Sequence, residues 1–227
     1  MTDPTAPAGA PALPVVIPTA HDRTFIPYVV GTDKGFDACL PSTELQEGPI
    51  KWISGPMPAK DYSNDKHDPG GMTGEGIVQR EYDLKRRQWG LPTQWVRNIS
   101  KDEERTIYFT DYWMPHCPQL PIGLAMEFFD LSVNGGTHRA VITLQRQLGI
   151  HDDGLWGPQT DAAVAALTSH GNVITAIATF KAKREAFYRS LSTFRYFGSD
   201  WIRRSEEIAT EGEALQESAD RGGGPAV

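Results

Sequence analysis

The chain has 227 residues, of which 39% are hydrophobic and six are tryptophan, enough to bury the core of one domain or two small lobes. A net charge of -7 argues against a nucleic-acid-binding protein, because neutralising phosphates requires a basic face. No secretory leader and no apolar run of the roughly 18 residues needed to cross a bilayer is recognisable, so we expect a soluble protein that something else delivers if it acts outside the cytoplasm.

Residues 1–35 are predicted to be a proline-rich arm. Proline fixes φ and removes a backbone donor, so this segment favours neither a helix nor a central strand. The prolines of its first part are Pro4, Pro7, Pro11, Pro14 and Pro18. An extended arm of this kind is suited to contacts with a partner.

The first predicted helix ends at a carboxylate. Apolar residues recur at near-helical spacing from Phe36, and Gly48-Pro49 is a strong stop signal. Pro41 indicates either a kink or a helix that begins there. In both cases Glu47 lies at the C-terminus of the helix.

The two cysteines, Cys39 and Cys117, are far apart in sequence and belong to no pairing motif. A disulfide framework is therefore not indicated, and two free, partly buried thiols are expected. A bond between the two remains an open alternative.

Residues 49–76 are predicted to form a long loop or a short hairpin, because Pro, Gly, Asn, Asp and Ser are dense there. A glycine-rich turn within it presents Asp68, Gly70, Gly71 and Thr73. Loops of this length inside a compact domain usually have a function or move.

The rest of the chain is predicted to be helical. Ser100 and Glu103 form a capping box that opens a helix ended by Pro115, and the apolar residues 120–133 are expected to form the central buried helix. Further helices are predicted at 77–89, 137–148, 159–167 and 172–191, followed by a flexible tail at 206–227. The fold class is therefore mainly α, a helical bundle with a small β-hairpin or loop.

Glu47 and Asp68 are candidates for a pair of catalytic carboxyl groups. Cleavage of a glycosidic bond needs one carboxylic acid that stays protonated and a second group that stabilises charge or activates water. A helix C-terminus and partial burial both favour the protonated form of Glu47, and Thr73 could position the water. The alternative is that Glu47 is an exposed helix end and Asp68 only forms a turn before Pro69.

We expect no metal or other cofactor. The cluster of Asp61, Asp65, His67 and Asp68 and the neighbours His116-Cys117 match neither a zinc spacing nor a complete calcium loop.

Several short motifs follow one another in a fixed order. They are Phe36 to Glu47-Gly48, Asp65-x-x-Asp68-Pro69-Gly70-Gly71-x-Thr73-x-x-Gly76-Ile77, Tyr112-Trp113, Leu120-Pro121-x-Gly123-Leu124-Ala125, Phe129-Asp130 and Val133-Asn134-x-Gly136. This series resembles glycoside hydrolase family 108, the phage-type N-acetylmuramidases related to lysozymes. Two further motifs, Leu144-Gln145-x-x-Leu148-Gly149 and Asp153-Gly154-x-Trp156-Gly157-Pro158-x-Thr160, are similar to the peptidoglycan-binding module usually fused to that family. The resemblance covers roughly residues 36–205.

The resemblance implies a lysozyme-like catalytic lobe at 36–134 and a helical peptidoglycan-binding lobe at 135–205. Glu47 falls on the family's catalytic glutamate, and Asp68 and Thr73 fall on residues that resemble the Glu, Asp, Thr triad of phage lysozymes. The candidate substrate-binding residues are Tyr62, Gly70, Gly71, Asn134, Asp153 and Trp156. For Asp153 and Trp156 a purely structural role, in loop geometry and core packing, is the alternative.

The chain departs from the family pattern after the glutamate. Pro49 and Ile50 replace a glycine and a tyrosine, and extra residues within 49–64 lengthen the segment, which we interpret as a longer hairpin or flap. The two parts of the site, Glu47 and the turn with Asp68, are both retained.

The implied reaction is hydrolysis of the β-1,4 bond between N-acetylmuramic acid and N-acetylglucosamine in bacterial peptidoglycan, with inversion favoured. The implied setting is a phage endolysin or virion-associated lysin, held in the host cytoplasm or the phage particle and delivered to the periplasm or cell wall by a holin or by virion partners of the arm. The alternative is a catalytically silent peptidoglycan-binding or structural virion protein on the same fold.

Overall fold

The computed structural model describes residues 25–47, 62–63, 73–74, 77–170 and 172–222. The predicted turn around Asp68 and the arm residues 1–24 lie outside these ranges. The helices are α1 (Lys34–Glu47), α2 (Gln79–Gln88), α3 (Lys101–Ile107), α4 (Ile122–Gly135), α5 (Thr137–Leu148), α6 (Pro158–His170), α7 (Val173–Ser190) and α8 (Phe194–Asp220). The mainly α fold class is confirmed.

Three two-residue strands form a small antiparallel sheet, β1 (Tyr62–Ser63), β2 (Thr73–Gly74) and β3 (Ile77–Val78), in the order β1-β2-β3. Tyr62 pairs with Gly74, and Thr73 pairs with Val78. The first helix after the loop therefore begins at Gln79 rather than at Ile77, because Ile77 and Val78 are used in the sheet.

Helix α1 runs from Lys34 to Glu47 with Pro41 inside it, so the alternative of a helix that begins at the proline is wrong. The helix buries Phe36, Cys39 and Leu40, which fix its position on the bundle. Glu47 is its last residue, as predicted. Cys39 and Cys117 are both buried free thiols.

The capping box at Ser100 is confirmed, since the Ser100 hydroxyl accepts from the backbone of Glu103 and the Glu103 carboxylate accepts from the backbone of Ser100. The helix it opens becomes π-helical at Tyr108–Trp113 before Pro115. Short 3-10 turns at Val96–Asn98 and Cys117–Gln119 join the neighbouring segments.

Helix α4 is the centre of the bundle and packs against α1, α5, α7 and α8. Its buried apolar residues include Leu124, Phe128, Phe129 and Leu131, all fully buried. The prediction of a central buried helix in this segment is confirmed. One continuous core runs from Tyr28 to Ala209, and the division of the chain into lobes at 36–134 and 135–205 stays a prediction.

The predicted flexible tail is wrong for residues 206–220, which belong to α8. This helix approaches α4 closely, because a Cβ added at Gly123 would lie 2.3 Å from the backbone oxygen of Gly212. The Gln216 side chain accepts a hydrogen bond of 3.2 Å from the Gly123 backbone N–H. Close backbone contact between small residues therefore helps to hold this part of α8, together with the buried Ile208 and with Leu215, which packs against the core.

Candidate active site

Glu47 lies at the end of α1 with 15% of its side chain exposed. Its Oε1 is 2.7 Å from Nη2 of Arg204, which belongs to α8. Two other residues on the same helix also contact α8, since Ser42 bonds Glu211 and Gln46 donates to Glu207 at 2.7 Å. Glu47 is thus the end of a polar seam between α1 and α8.

A buried ion cluster stands behind this contact. We call Glu127 and Asp130 of α4, Arg184 of α7 and Arg204 of α8 the α4 ion cluster. Arg204 contacts Asp130 through Nε at 3.0 Å and Nη2 at 2.8 Å, and Arg184 contacts both Asp130 and, at 3.1 Å, Glu127. Glu127, Asp130 and Arg184 are completely buried. Residues of α4, α7 and α8 therefore meet in the α4 ion cluster, and its member Arg204 contacts Glu47.

The two acids of the cluster differ in their pKa. Burial alone would raise the pKa of Asp130, but Arg204 and Arg184 hold it below its ordinary value. Burial raises the pKa of Glu127 to about 7, against the opposing charge of Arg184 and with the added effect of Asp130. Asp130 is therefore the permanent anion of the cluster, and Glu127 is its titrating member.

A cleft of about 390 Å³ opens beside α2 and the π-helical segment. Burial raises the pKa of Tyr112 in its wall, and the negative charges of Glu81, Asp111 and Glu47 act in the same direction. Glu47 itself is not among the residues that line the cleft. The residues that line the cleft are Ile77, Glu81, Leu84, Lys85, Gln88, Ile107, Asp111, Tyr112, Gly136 and Thr137.

The small sheet borders the same cleft, because Ile77 of β3 lines it and Thr73 of β2 pairs with the next residue of β3. The backbone of Tyr62 lies on β1 at the far side of Thr73. Asp68, Gly70 and Gly71 fall outside the described residues, so the pairing of Glu47 with Asp68 stays a prediction.

Asn134 is bonded to the interior of the bundle. It is near the end of α4, two residues before the cleft residue Gly136, and its Oδ1 accepts a hydrogen bond of 2.8 Å from the hydroxyl of Tyr188. Tyr188 in turn accepts from Arg184 at 2.8 Å. The amide is thus linked to the α4 ion cluster, and Asn134 is not among the residues that line the cleft.

Asp153 and Trp156 lie on the loop between α5 and α6, and neither is among the residues that line the cleft. Asp153 accepts from Gln145 and from the Leu155 backbone, each at 2.9 Å. Trp156 stacks on His116 with ring centroids 4.3 Å apart and donates to Asp161. These contacts fix the loop to α5, α6 and His116, and a glycan-binding role for the pair stays a prediction.

Sequence reasoning assigned no function to Arg204, Asp130, Glu127 or Arg184. One signal was available, because two acids three residues apart occur in the most apolar segment of the chain. Buried carboxylates need cationic or hydrogen-bonding partners. The pattern therefore indicated buried cations, although not which ones.

Two comparisons with known proteins found similar ones. Residues 59–136 match the model of the family Glycosyl hydrolase 108. The solved structure of Brucella abortus SagA is similar, at 26% identity and a TM-score of 0.66, over 82% of this chain and 97% of that chain. No curated protein matches the chain. The predicted family resemblance is confirmed, whereas the C-terminal peptidoglycan-binding module stays a prediction. The match and the fold together support a peptidoglycan hydrolase of the lysozyme type.

The family match covers residues 59–136, so Glu47 lies before the matched segment and Arg204 lies after it.

Among the described residues no helix is long and apolar enough to cross a membrane.

Proposed function

We propose that this chain, whose residues 59–136 form a glycosyl hydrolase 108 segment, hydrolyses the β-1,4 bond between N-acetylmuramic acid and N-acetylglucosamine in bacterial peptidoglycan. Glu47 is the general acid, and Asp68 and Thr73 assist the attack of water. The observation that carries the proposal is the partly buried carboxyl group of Glu47, which Arg204 holds at the end of α1. A cleft lined almost entirely by residues of the matched segment accompanies it.

The proposed chemistry follows from what a glycosidic bond requires. The leaving oxygen must receive a proton as the bond breaks, and a carboxyl group held at a cleft can deliver it. In an inverting reaction a second carboxylate activates water on the opposite face of the sugar. Asp68 has that role here, with the Thr73 hydroxyl orienting the water, and inversion is the expected outcome.

The cleft suits a sugar chain because it combines apolar and polar groups. Ile77, Leu84 and Tyr112 offer apolar surface, whereas Glu81 and Gln88 offer hydrogen-bonding groups. Saccharide rings need both kinds of contact. Tyr62, Gly70, Gly71 and Asn134 would complete the glycan-binding surface, and the loop with Asp153 and Trp156 would contact the wall separately.

The test is hydrolysis of purified peptidoglycan by wild type and Glu47→Gln. General acid catalysis contributes about a hundredfold to ten-thousandfold, so the variant should lose at least about a hundredfold in rate. Glu44→Gln is the matched control, because Glu44 is on the same helix and forms a salt bridge with Lys101 and not with Arg204. It should keep the wild-type rate once the amount of folded protein is equalised.

Mass spectrometry of the released fragments identifies the bond. A muramidase leaves a reducing N-acetylmuramic acid end, whereas an amidase or a transglycosylase gives different fragments. Wild-type activity in Glu47→Gln would refute the role of Glu47. Peptidoglycan binding without hydrolysis by wild type would instead support the catalytically silent protein.

The phage setting rests on the family resemblance. We propose a free endolysin or a virion-associated lysin that reaches the wall through a holin or through virion partners of the N-terminal arm.

A further inference from the structure

Arg204 is the residue through which Glu47 is attached to the rest of the bundle. It is 6% exposed and contacts Glu47 on one side and Asp130 on the other. We propose that Arg204 is a positioning residue that fixes the carboxyl group of Glu47 for catalysis. This inference rests on the proposed role of Glu47 as the general acid.

The contact between the two residues is an ion pair. Nη2 of Arg204 lies 2.7 Å from Oε1 of Glu47, and this buried oxygen has no aligned hydrogen bond among the described residues. The attraction between the opposite charges at this distance therefore holds the carboxyl group in place.

Arg204 can act as a rigid support because Asp130 holds it at several points. Nε lies 3.2 Å from Asp130 Oδ1 and 3.0 Å from Oδ2, and Nη2 lies 2.8 Å from Oδ1. Such multiple contacts fix the plane of a guanidinium as well as its position. The orientation of the Arg204 fork then sets the orientation of Glu47.

The charge of Asp130 is as important as its position. Asp130 is completely buried and its pKa is lowered by Arg204 and Arg184, although burial opposes this, so it faces Arg204 as an anion. The negative charge of Asp130 partly neutralises the positive charge that the Arg204 guanidinium presents to Glu47. Arg204 therefore orients Glu47 without acting on it as an unshielded cation.

Arg184 is a matched control within the same cluster. It is completely buried and forms ion pairs with Asp130 and Glu127, and among the described residues none of its ion pairs involves Glu47. A substitution there disturbs the same buried network and leaves the Arg204–Glu47 contact in place. Loss of folding stability alone would affect both arginine variants in the same way.

The experiment measures kcat, KM and the pH dependence of kcat on purified peptidoglycan for wild type, Arg204→Gln, Arg184→Gln and Glu47→Gln. Misplacing a reacting group by about 1 Å can cost about a hundredfold in rate, so Arg204→Gln should lose about a hundredfold in kcat with KM little changed. The alkaline limb of its pH–kcat profile should shift to higher pH. The reason is that the positive charge next to Glu47 is lost, and that charge no longer offsets the negative charge of Asp130. Arg184→Gln should keep the wild-type kcat and alkaline limb per folded molecule.

A wild-type kcat and pH profile in Arg204→Gln would overturn the inference, as would the same changes in Arg184→Gln. If Arg204→Gln does not fold, Arg204→Lys provides the test. The lysine ammonium keeps the positive charge but cannot reproduce the planar set of donors of the guanidinium. The Arg204→Lys variant should lose about tenfold in kcat and keep the wild-type alkaline limb, whereas an unchanged kcat would overturn the inference. Failure of the proposed function is distinct, because Glu47→Gln would then be as active as wild type.

Discussion

Two buried ionic clusters in this molecule serve different ends. In the first, the α4 ion cluster, residues of three helices meet and one arginine extends to Glu47. In the second, Arg86 donates to the Pro92 carbonyl and contacts Glu103, whose carboxylate also accepts from Tyr82 and Ser100. We call Tyr82, Arg86, Ser100 and Glu103 the capping cluster.

The contacts of the capping cluster lie within a single short part of the chain, whereas the α4 ion cluster joins distant helices and ends at a partly exposed carboxyl group. The α4 ion cluster also contains Glu127 Oε1, which is buried and has no hydrogen-bond partner among the described residues. Burial and ion pairing are therefore common to structural and functional clusters. The distinguishing feature is a charged end at a carboxyl group that is partly exposed to solvent.

The largest stability effect is expected from Arg184→Gln, which separates the structural role of the α4 ion cluster from its link to Glu47. Removing one member of a buried ion network leaves its partners uncompensated, and such changes cost about 4 kcal/mol. Urea unfolding should show a loss of this size in the free energy of unfolding. A loss below about 1 kcal/mol would mean that Asp130 and Glu127 find other partners.

The next effect concerns pH and is specific to the α4 ion cluster. The pKa of Glu127 rises from 4.5 to about 7 on folding, so the native state binds its proton more tightly. The stability that this provides is present below pH 4.5 and is lost as the pH rises toward 7, by about 3 kcal/mol in total.

Glu127→Gln removes that titration. The free energy of unfolding of the variant relative to wild type should therefore increase by about 3 kcal/mol between pH 4.5 and pH 8. Urea unfolding at a series of pH values measures this difference. A difference that is independent of pH would show that Glu127 does not titrate in the folded state.

The smallest effect is expected in the capping cluster. Ser100→Ala removes the hydroxyl that accepts from the backbone of Glu103, and a lost cap costs about 1 kcal/mol. Thermal unfolding should show the lower stability, and the rate of peptidoglycan hydrolysis per folded molecule should match that of wild type. A large loss of rate would contradict the separation of the two clusters.

Local patterns predicted the parts of the fold that depend on neighbouring residues. The capping box at Ser100, the central helix α4 and the end of α1 at Glu47 all follow from motifs within a few residues. The extent of α8 does not, because the contact of Gly212 with Gly123 joins two small residues that local periodicity ignores. The π-helical turn at Tyr108–Trp113 likewise leaves no local signal that we used.

The candidate site shows the same limit. Glu47 was identified from its place at a helix end and from the family resemblance, whereas its partner Arg204 is distant in the chain. Asp130 belongs to the motif Phe129-Asp130, but its function is not evident from the sequence, since only the packing of α4, α7 and α8 brings it to its two arginine partners. Long-range ion pairs require the tertiary structure.

The position of Arg204 on α8 has a consequence for biosynthesis. The ribosome makes Glu47 early and Arg204 only after nearly all of the helices described here. A nascent chain, or one from which a protease has removed α8, would lack the arginine even though the glycosyl hydrolase segment at 59–136 is intact. The proposed hydrolytic activity would therefore reach its full value only in chains whose synthesis has passed α8.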